Sequence, residues 1–238
     1  MPGADRPFRF GLQVRGDNSA DELRAIAIAA EHARFDVLST FDHVGADWSA
    51  LTPLTAMAAV TERIRFCPLV LNNDFWHPVH LAREAAAIDH VTDGRFELGI
   101  GAGHAHTEYA AIGVAFDPPR VRKERMAEAI EIVRRLLDGE EVTHDGAHYS
   151  IDAVRTMPSR QDHLPILVGV NGREALAHAA RHADIIGLTM LGRTLPDGNQ
   201  HEVRWQSARL DATVARDRTP CMRRSASRSN ERGMHRAR

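Results

Sequence analysis

The chain has 238 residues, 43% of them hydrophobic and 26% charged, with a formal net charge of −2. That is the make-up of a globular protein with a sizeable core, long enough for one large α/β domain or two ordinary ones. No run approaches the ~20 apolar residues needed to cross a bilayer, and the N-terminal MPGADRPFRF lacks a signal-peptide apolar region. Cys67 lies in an apolar run and Cys221 in a polar one, which excludes a disulfide framework and leads to the expectation of a cytoplasmic protein.

Charge is unevenly spread. Residues 219–238, TPCMRRSASRSNERGMHRAR, hold six Arg and one Glu, and the residues before them hold 24 basic against 31 acidic side chains, about −7. This stretch reads either as a nucleic-acid arm or, preferably, as a tail that is disordered or not the natural ending. A single Lys, Lys123, stands against 29 Arg. The bias suggests a GC-rich coding sequence, and a frameshifted GC-rich frame yields Arg/Ser-rich text of this kind.

In chain order, FRFGLQV (8–14) alternates as a strand and meets a Gly-Asp-Asn turn. SADELRAIAIAAEHAR follows with a Ser19/Glu22 capping box and Leu23, Ile26, Ala27 and Ala30 at helical period. Residues 36–41 form a second strand and 51–62 a short helix. RIRFCPLVLNN is a continuous apolar run, as in a strand covered on both faces. A helix over 79–92 stops at Asp93-Gly94, and RFELGIG is the fourth strand. The helix 121–138 carries Met126, Ile130, Val133 and Leu137 on one stripe, with Gly139 where a C-cap belongs. EVTHDGAHYSI breaks the alternation with an Asp145-Gly146 hairpin signal, an excursion outside the main sheet. LPILVGV, the helix GREALAHAARHA and the strand DIIGLTM resume it, and a last helix is expected over roughly 200–216.

Six strands alternating with helices imply a parallel sheet, either open and doubly wound or closed as a (β/α)8 barrel. No G-x-G-x-x-G follows the first strand, against the dinucleotide-binding open sheet. Polar residues gather after strand ends instead, as barrel chemistry requires: Asp42-His43, Asn72-Asn73, His104, Asn171 and Thr189. The barrel is preferred, although a closed one needs eight strands.

His43 is a candidate proton donor or acceptor; equally, Asp42 caps a turn and His43 satisfies a backbone carbonyl. In GIGAGHAH (99–106) the glycines allow close backbone approach to a ligand, while His104 and His106 form an H-x-H pair of the kind found in metal hydrolases. Glycines mark that stretch as loop, and no matching His/Asp set follows, so metal binding is the lesser reading. In VGVNGRE, Gly169, Asn171 and Gly172 precede a helix that starts with Arg173, which favours phosphate, although any tight βα connection uses glycine. Phe75 and Trp76 either line an apolar pocket or pack on a neighbouring loop.

The ordered set FDHV, LVLNNDFWHP, LAREAAAIDHVTDGRFELGIGAG, DGAHYSI and PILVGVNGREALAHAARHADIIGL resembles the luciferase-like monooxygenase superfamily, closest to its branch that uses the deazaflavin coenzyme F420. The likeness runs from about residue 8 to 215. It implies a TIM barrel that binds F420, or FMN in sister families, at the strands' C-terminal ends. It further implies a non-proline cis peptide near Val70, Leu71 and Asn72, against the cofactor ring. His43 then stands beside the ring as a proton-handling group, with Gly101 and Gly103 in the fourth-strand loop. His104 occupies the place where some F420-dependent dehydrogenases carry a glutamate acid. Gly169, Val170, Asn171, Gly172 and Thr189 match the cofactor's side chain and phosphate end.

Members of that family continue with two more strands, whereas the matching text here stops near ARLDATVARDRTP. The expectation is therefore a barrel domain over 1–218 with about six of eight strands, truncated or frameshifted, and a disordered tail over 219–238. The implied activity is F420-dependent hydride transfer to or from a small organic substrate. FMN-dependent monooxygenation, a metal hydrolase using His43, His104 and His106, and a catalytically impaired fragment are the alternatives. The expected partners are a small-molecule substrate and a second copy in a homodimer, with neither nucleic acid nor membrane.

Overall fold

The structure is a computed structural model that describes residues 8–15, 18–45, 48–170, 181–188, 193–194 and 200–201. Its parallel strands are β1 (Gly11–Gln13), β2 (Val37–Thr40), β3 (Arg65–Pro68), β4 (Leu71–Asn72), β5 (Leu98–Gly101), β8 (Ile166–Val170) and β9 (Ile185–Leu188). A hairpin of β6 (Val142–Asp145) and β7 (Ser150–Val154) stands apart as its own antiparallel sheet, as the Asp145-Gly146 signal indicates. Around them lie α1 (Ala20–His32), α2 (Leu51–Ala58), α3 (Pro78–Val91), α4 (His106–Ile112) and α5 (Pro119–Leu137).

Strand order decides between the two architectures. β1 pairs with β2 and β2 with β3, while β4 pairs with β5, β5 with β8 and β8 with β9, all in parallel. β3 and β4 are two halves of one strand position, since β3 is also joined to the β5 segment through the Phe66–Phe96 bridge. Each successive strand position therefore lies beside the one before it. A doubly wound sheet reverses direction at a switch point, and this order never reverses, which is the winding of a (β/α) barrel. Six positions are present among the described residues.

The helices form where the sequence supplies starts and stops. Ser19 N donates to Glu22 Oε2 at 2.7 Å and Glu22 N to Ser19 Oγ at 3.3 Å, completing the capping box of α1. Pro78 and Pro119 sit in the first turns of α3 and α5, where the missing N–H costs nothing. α3 ends on Asp93 and Gly94 at φ 54° and 77°, and Gly139 follows α5 at φ 82°, the left-handed exits that glycine favours. Leu23, Ala27 and Ala30 of α1 and Met126, Ile130, Val133 and Leu137 of α5 are buried against the sheet with Leu38, Phe66, Ile100, Ile166 and Val168.

Two expectations differ from the structure. The short helix begun at 51 ends at Ala58 rather than 62, because residues 59–60 turn the chain into β3. Residues 200–201, expected to open a helix, form β11 (Gln200–His201), paired antiparallel with β10 (Arg193–Thr194); a pair of extended backbones satisfies groups that a helix start would leave open. The rest of that expected helix, most of the helix GREALAHAARHA and the tail 219–238 lie outside the described residues. No helix among the described residues is long and apolar enough to cross a membrane.

Candidate functional site

A cavity of about 560 Å³ opens at the C-terminal ends of the first four strand positions. Gln13 comes from the end of β1, Phe41, Asp42 and His43 from the loop after β2, and Leu69 to Asn72 from the junction of β3 and β4. Gly101, Gly103, His104 and Ala105 follow β5, and Glu108 reaches in from α4. The size lies within the range of small-molecule pockets.

The β3–β4 junction shapes one wall. The Leu69–Val70 peptide is cis and not followed by proline, at the strand end where the resemblance implies one. Gln13 Nε2 donates to Leu69 O at 3.2 Å, and Leu69 N donates to Thr40 O at 2.7 Å. The Val70 side chain turns toward the neighbouring strands. A Cβ on Gly101 would stand 2.7 Å from Val70 Cγ2, and one on Gly169 3.0 Å from the same atom. Those glycines therefore make room for Val70, which leaves the half-buried Leu69 and Val70 as an aliphatic ledge beside the cavity, while Leu71 is fully buried.

Asp42 holds the far side of that ledge. Its Oδ2 accepts from Asn72 N at 3.0 Å, and the Trp76 indole also bonds its carboxylate. Burial is the largest influence on Asp42 and raises its pKa above the usual carboxylate value, against these hydrogen bonds. His43 is not bonded to Asp42: its Nδ1 lies 2.6 Å from Glu108 Oε1. The His104 ring meets that of His43 edge-on, with centroids 5.6 Å apart. His104 is exposed at the cavity mouth yet surrounded by enough protein that lost solvation, followed by the charge of His43, lowers its pKa below the ordinary histidine value.

The glycine loop is clamped from outside. Gly103 has φ 68°, and a Cβ there would lie 2.0 Å from Tyr109 Oη, so only glycine fits. Tyr109 is fully buried and its hydroxyl lies 3.0 Å from Asn72 Oδ1 and 2.9 Å from Asp74 Oδ2. Arg122 donates to the carbonyls of Ala102 and Gly103 while its guanidinium stacks 4.1 Å from the Phe116 ring centre.

Of the residues singled out in the sequence, His43, Leu71, Asn72, Gly101, Gly103 and His104 come together around this cavity. Gly169 and Val170 end β8 and do not line it, and Asn171, Gly172 and Thr189 lie outside the described residues. His106 faces away, its ring 5.3 Å from that of Phe116. No group of three His, Cys, Asp or Glu side chains among the described residues is arranged to hold a metal. Phe75 packs 4.9 Å from Tyr109, and neither it nor Trp76 lines the cavity.

The luciferase-like monooxygenase family profile matches residues 6–228. This chain belongs to that family. An F420-dependent glucose-6-phosphate dehydrogenase from Microbacterium testaceum is 32% identical over 187 residues, covering 75% of this chain and 55% of that protein. A 5,10-methylenetetrahydromethanopterin reductase from Archaeoglobus fulgidus is 31% identical over 177 residues, 74% of this chain and 52% of that protein. Among solved structures, a monooxygenase from Streptomyces bottropensis superposes with a TM-score of 0.65 at 27% identity, over 73% of this chain and 57% of that one. The chain spans about half the length of the curated relatives it matches.

Luciferase-like membership accounts for the sequential winding and for a site at the strand ends, but the family motifs do not reveal Glu108, Tyr109, Gln13 or Arg122. Glu108 and Tyr109 belong to α4, a helix of 7 residues that starts where the stretch 99–106, read from the sequence as loop, ends. The available signal was Gly113, whose φ of 73° ends α4 as a left-handed cap and marks the tyrosine four residues earlier as helical.

Proposed function

We propose that this luciferase-like chain carries the cofactor site of an F420-dependent oxidoreductase that moves hydride between the deazaflavin and a small organic substrate. The observation that carries the reading is the cavity itself: half-buried Leu69 and Val70 line the same space as the hydrogen-bonding residues Gln13, His43, Asn72 and His104. A flat heteroaromatic ring with polar edges fits such a mixed lining. The relatives named F420-dependent, at 30–32% identity, support the choice of cofactor.

When bound, F420 supplies a carbon, C5, that takes or gives hydride, which leaves orientation, proton handling and exclusion of water to the protein. Leu69 to Asn72 would support the ring, with Gly101 and Gly103 beside it. Gly169, Val170, Asn171, Gly172 and Thr189 carry over from the family resemblance as the side-chain and phosphate end. His43 holds the proton that accompanies hydride transfer, on the Nε2 that Glu108 leaves free. His104, with its lowered pKa, stays neutral near pH 7 and serves as a hydrogen-bonding neighbour rather than a fixed charge. The same reading expects a cytoplasmic homodimer acting on a small molecule.

A second reading, FMN-dependent monooxygenation, is favoured by the likeness to the Streptomyces bottropensis monooxygenase. Titration of the 238-residue chain with F420 and with FMN, followed by tryptophan fluorescence, separates the two. Tighter binding of F420 is expected; tighter FMN transfers the case to the second reading, and binding of neither sinks both. With a substrate found by screening small alcohols and carbonyl compounds, His43→Ala is expected to cut turnover by about 10²-fold or more while cofactor affinity holds.

A further inference from the structure

His43 is followed in space by a partner that stands 65 positions away in the chain. Glu108 Oε1 and His43 Nδ1 are 2.6 Å apart, and the Glu108 side chain is 19% exposed against 40% for His43. A carboxylate oxygen only accepts, so Nδ1 carries the hydrogen and donates it. The other nitrogen, Nε2, then keeps its lone pair in the neutral ring. Asp42, next to His43 in sequence, has its carboxylate engaged by Asn72 N and Trp76 and is not the group that orients the ring.

Glu108 also rests on a support that does not yield easily. The next residue, Tyr109, is fully buried and its hydroxyl reaches Asn72 and Asp74, which ties the first turn of α4 to the end of β4. The loop entering α4 is held by Arg122 through the carbonyls of Ala102 and Gly103. Asp74 is in turn paired with Arg125 at 3.0 Å on α5. The carboxylate therefore reaches His43 from a helix fixed at both its entry and its underside.

We propose that Glu108 is a positioning residue: it locks His43 in the Nδ1–H tautomer, presents Nε2 to the cavity beside His104, and balances the charge when His43 takes up a proton. The role rests on the reading of His43 as the proton-handling group of the proposed oxidoreductase. Its physical content, the tautomer, is independent of cofactor and substrate. Free neutral imidazole prefers no such enforced arrangement, so loss of the acceptor should show directly in the ring.

The test is nitrogen-15 NMR of histidine-labelled full-length chain, with His43 assigned by its disappearance in His43→Ala, at a pH where the ring is neutral. In the wild type Nδ1 is expected to resonate as a protonated, pyrrole-type nitrogen and Nε2 as a pyridine-type one. Glu108→Ala should move His43 toward the Nε2–H form. Glu108→Gln, which keeps shape and an acceptor oxygen, should retain the Nδ1–H tautomer but lower turnover by on the order of 10²-fold with unchanged cofactor affinity. Wild-type His43 in the Nε2–H form, or a tautomer indifferent to Glu108→Ala, overturns the proposal; should Glu108→Ala not fold, the wild-type assignment and the Glu108→Gln turnover decide. Full turnover in His43→Ala together with the expected tautomers would instead remove the proton-handling reading and leave the Glu108 contact standing.

Discussion

Val70 explains two glycines that a sequence reader assigns to ligand approach. Gly101 and Gly169 face its side chain from adjacent strands, at separations that no added Cβ tolerates without a shift. Gly101→Ala is expected to destabilise the chain by about 1–3 kcal/mol through overpacking, and adding Val70→Ala should restore most of that loss, as urea unfolding of the single and double variants would show. His104 provides a pH test. Its folded pKa is below the unfolded value near 6.5, because burial disfavours the charged ring. The unfolded chain then binds the proton more readily, so this group's contribution is lost as pH falls through 6.5 toward the lowered folded value. His104→Gln should flatten that part of the stability–pH curve. At this scale the sequence identified His43 and His104 and offered Asp42 as a turn residue, but it named no acid partner for His43, which the structure supplies as Glu108. A contact between a strand-end loop and a short helix leaves no local pattern.

The β6–β7 hairpin illustrates the element scale. Glu128 of α5 accepts from His144 Nε2 at 3.0 Å, from the N–H groups of His148 at 3.1 Å and Tyr149 at 2.9 Å, and leaves no room for a Cβ on Gly146. Burial acts to raise the Glu128 pKa, but these donors outweigh it and hold the carboxyl below its usual value. The stabilisation it gives is therefore complete above the ordinary glutamate pKa of 4.5 and is lost as pH falls below it. Glu128→Ala should cost about 1–3 kcal/mol locally and raise hydrogen exchange at the His148 and Tyr149 amides, while amides of β8 keep their protection. Equal loss in β8 would mean that the hairpin and the sheet open as one unit. Elements with a period or a cap were legible beforehand: α1 through Ser19 and Glu22, α3 through Asp93-Gly94, the hairpin through Asp145-Gly146. α4 and β11 were not. Seven residues are too few for a periodic stripe, and a two-residue strand such as β11 depends on its partner, β10.

Across the molecule, barrel and open sheet share the same alternation of strands and helices, and strand order, invisible in that alternation, separates them. Interior positions are not equally closed. Ile100 on β5 is fully buried, whereas Ile186 and Leu188 on β9, the last parallel strand described, are 39% and 37% exposed. Ile100→Ala should cost about 2–5 kcal/mol, and Ile186→Ala well under half of whatever Ile100→Ala costs, by denaturant unfolding. The central claim is that the strand-end cavity receives the deazaflavin ring. Ala105 lines that cavity at the start of α4, so Ala105→Trp is expected to reduce the space open to the ring. The direct measurement is an F420 titration of wild type and Ala105→Trp, each first shown to unfold at the same denaturant midpoint. Saturable binding by the wild type, weakened by about tenfold or more (1.4 kcal/mol) in the variant, is the predicted result. Equal affinity in the two chains would contradict it.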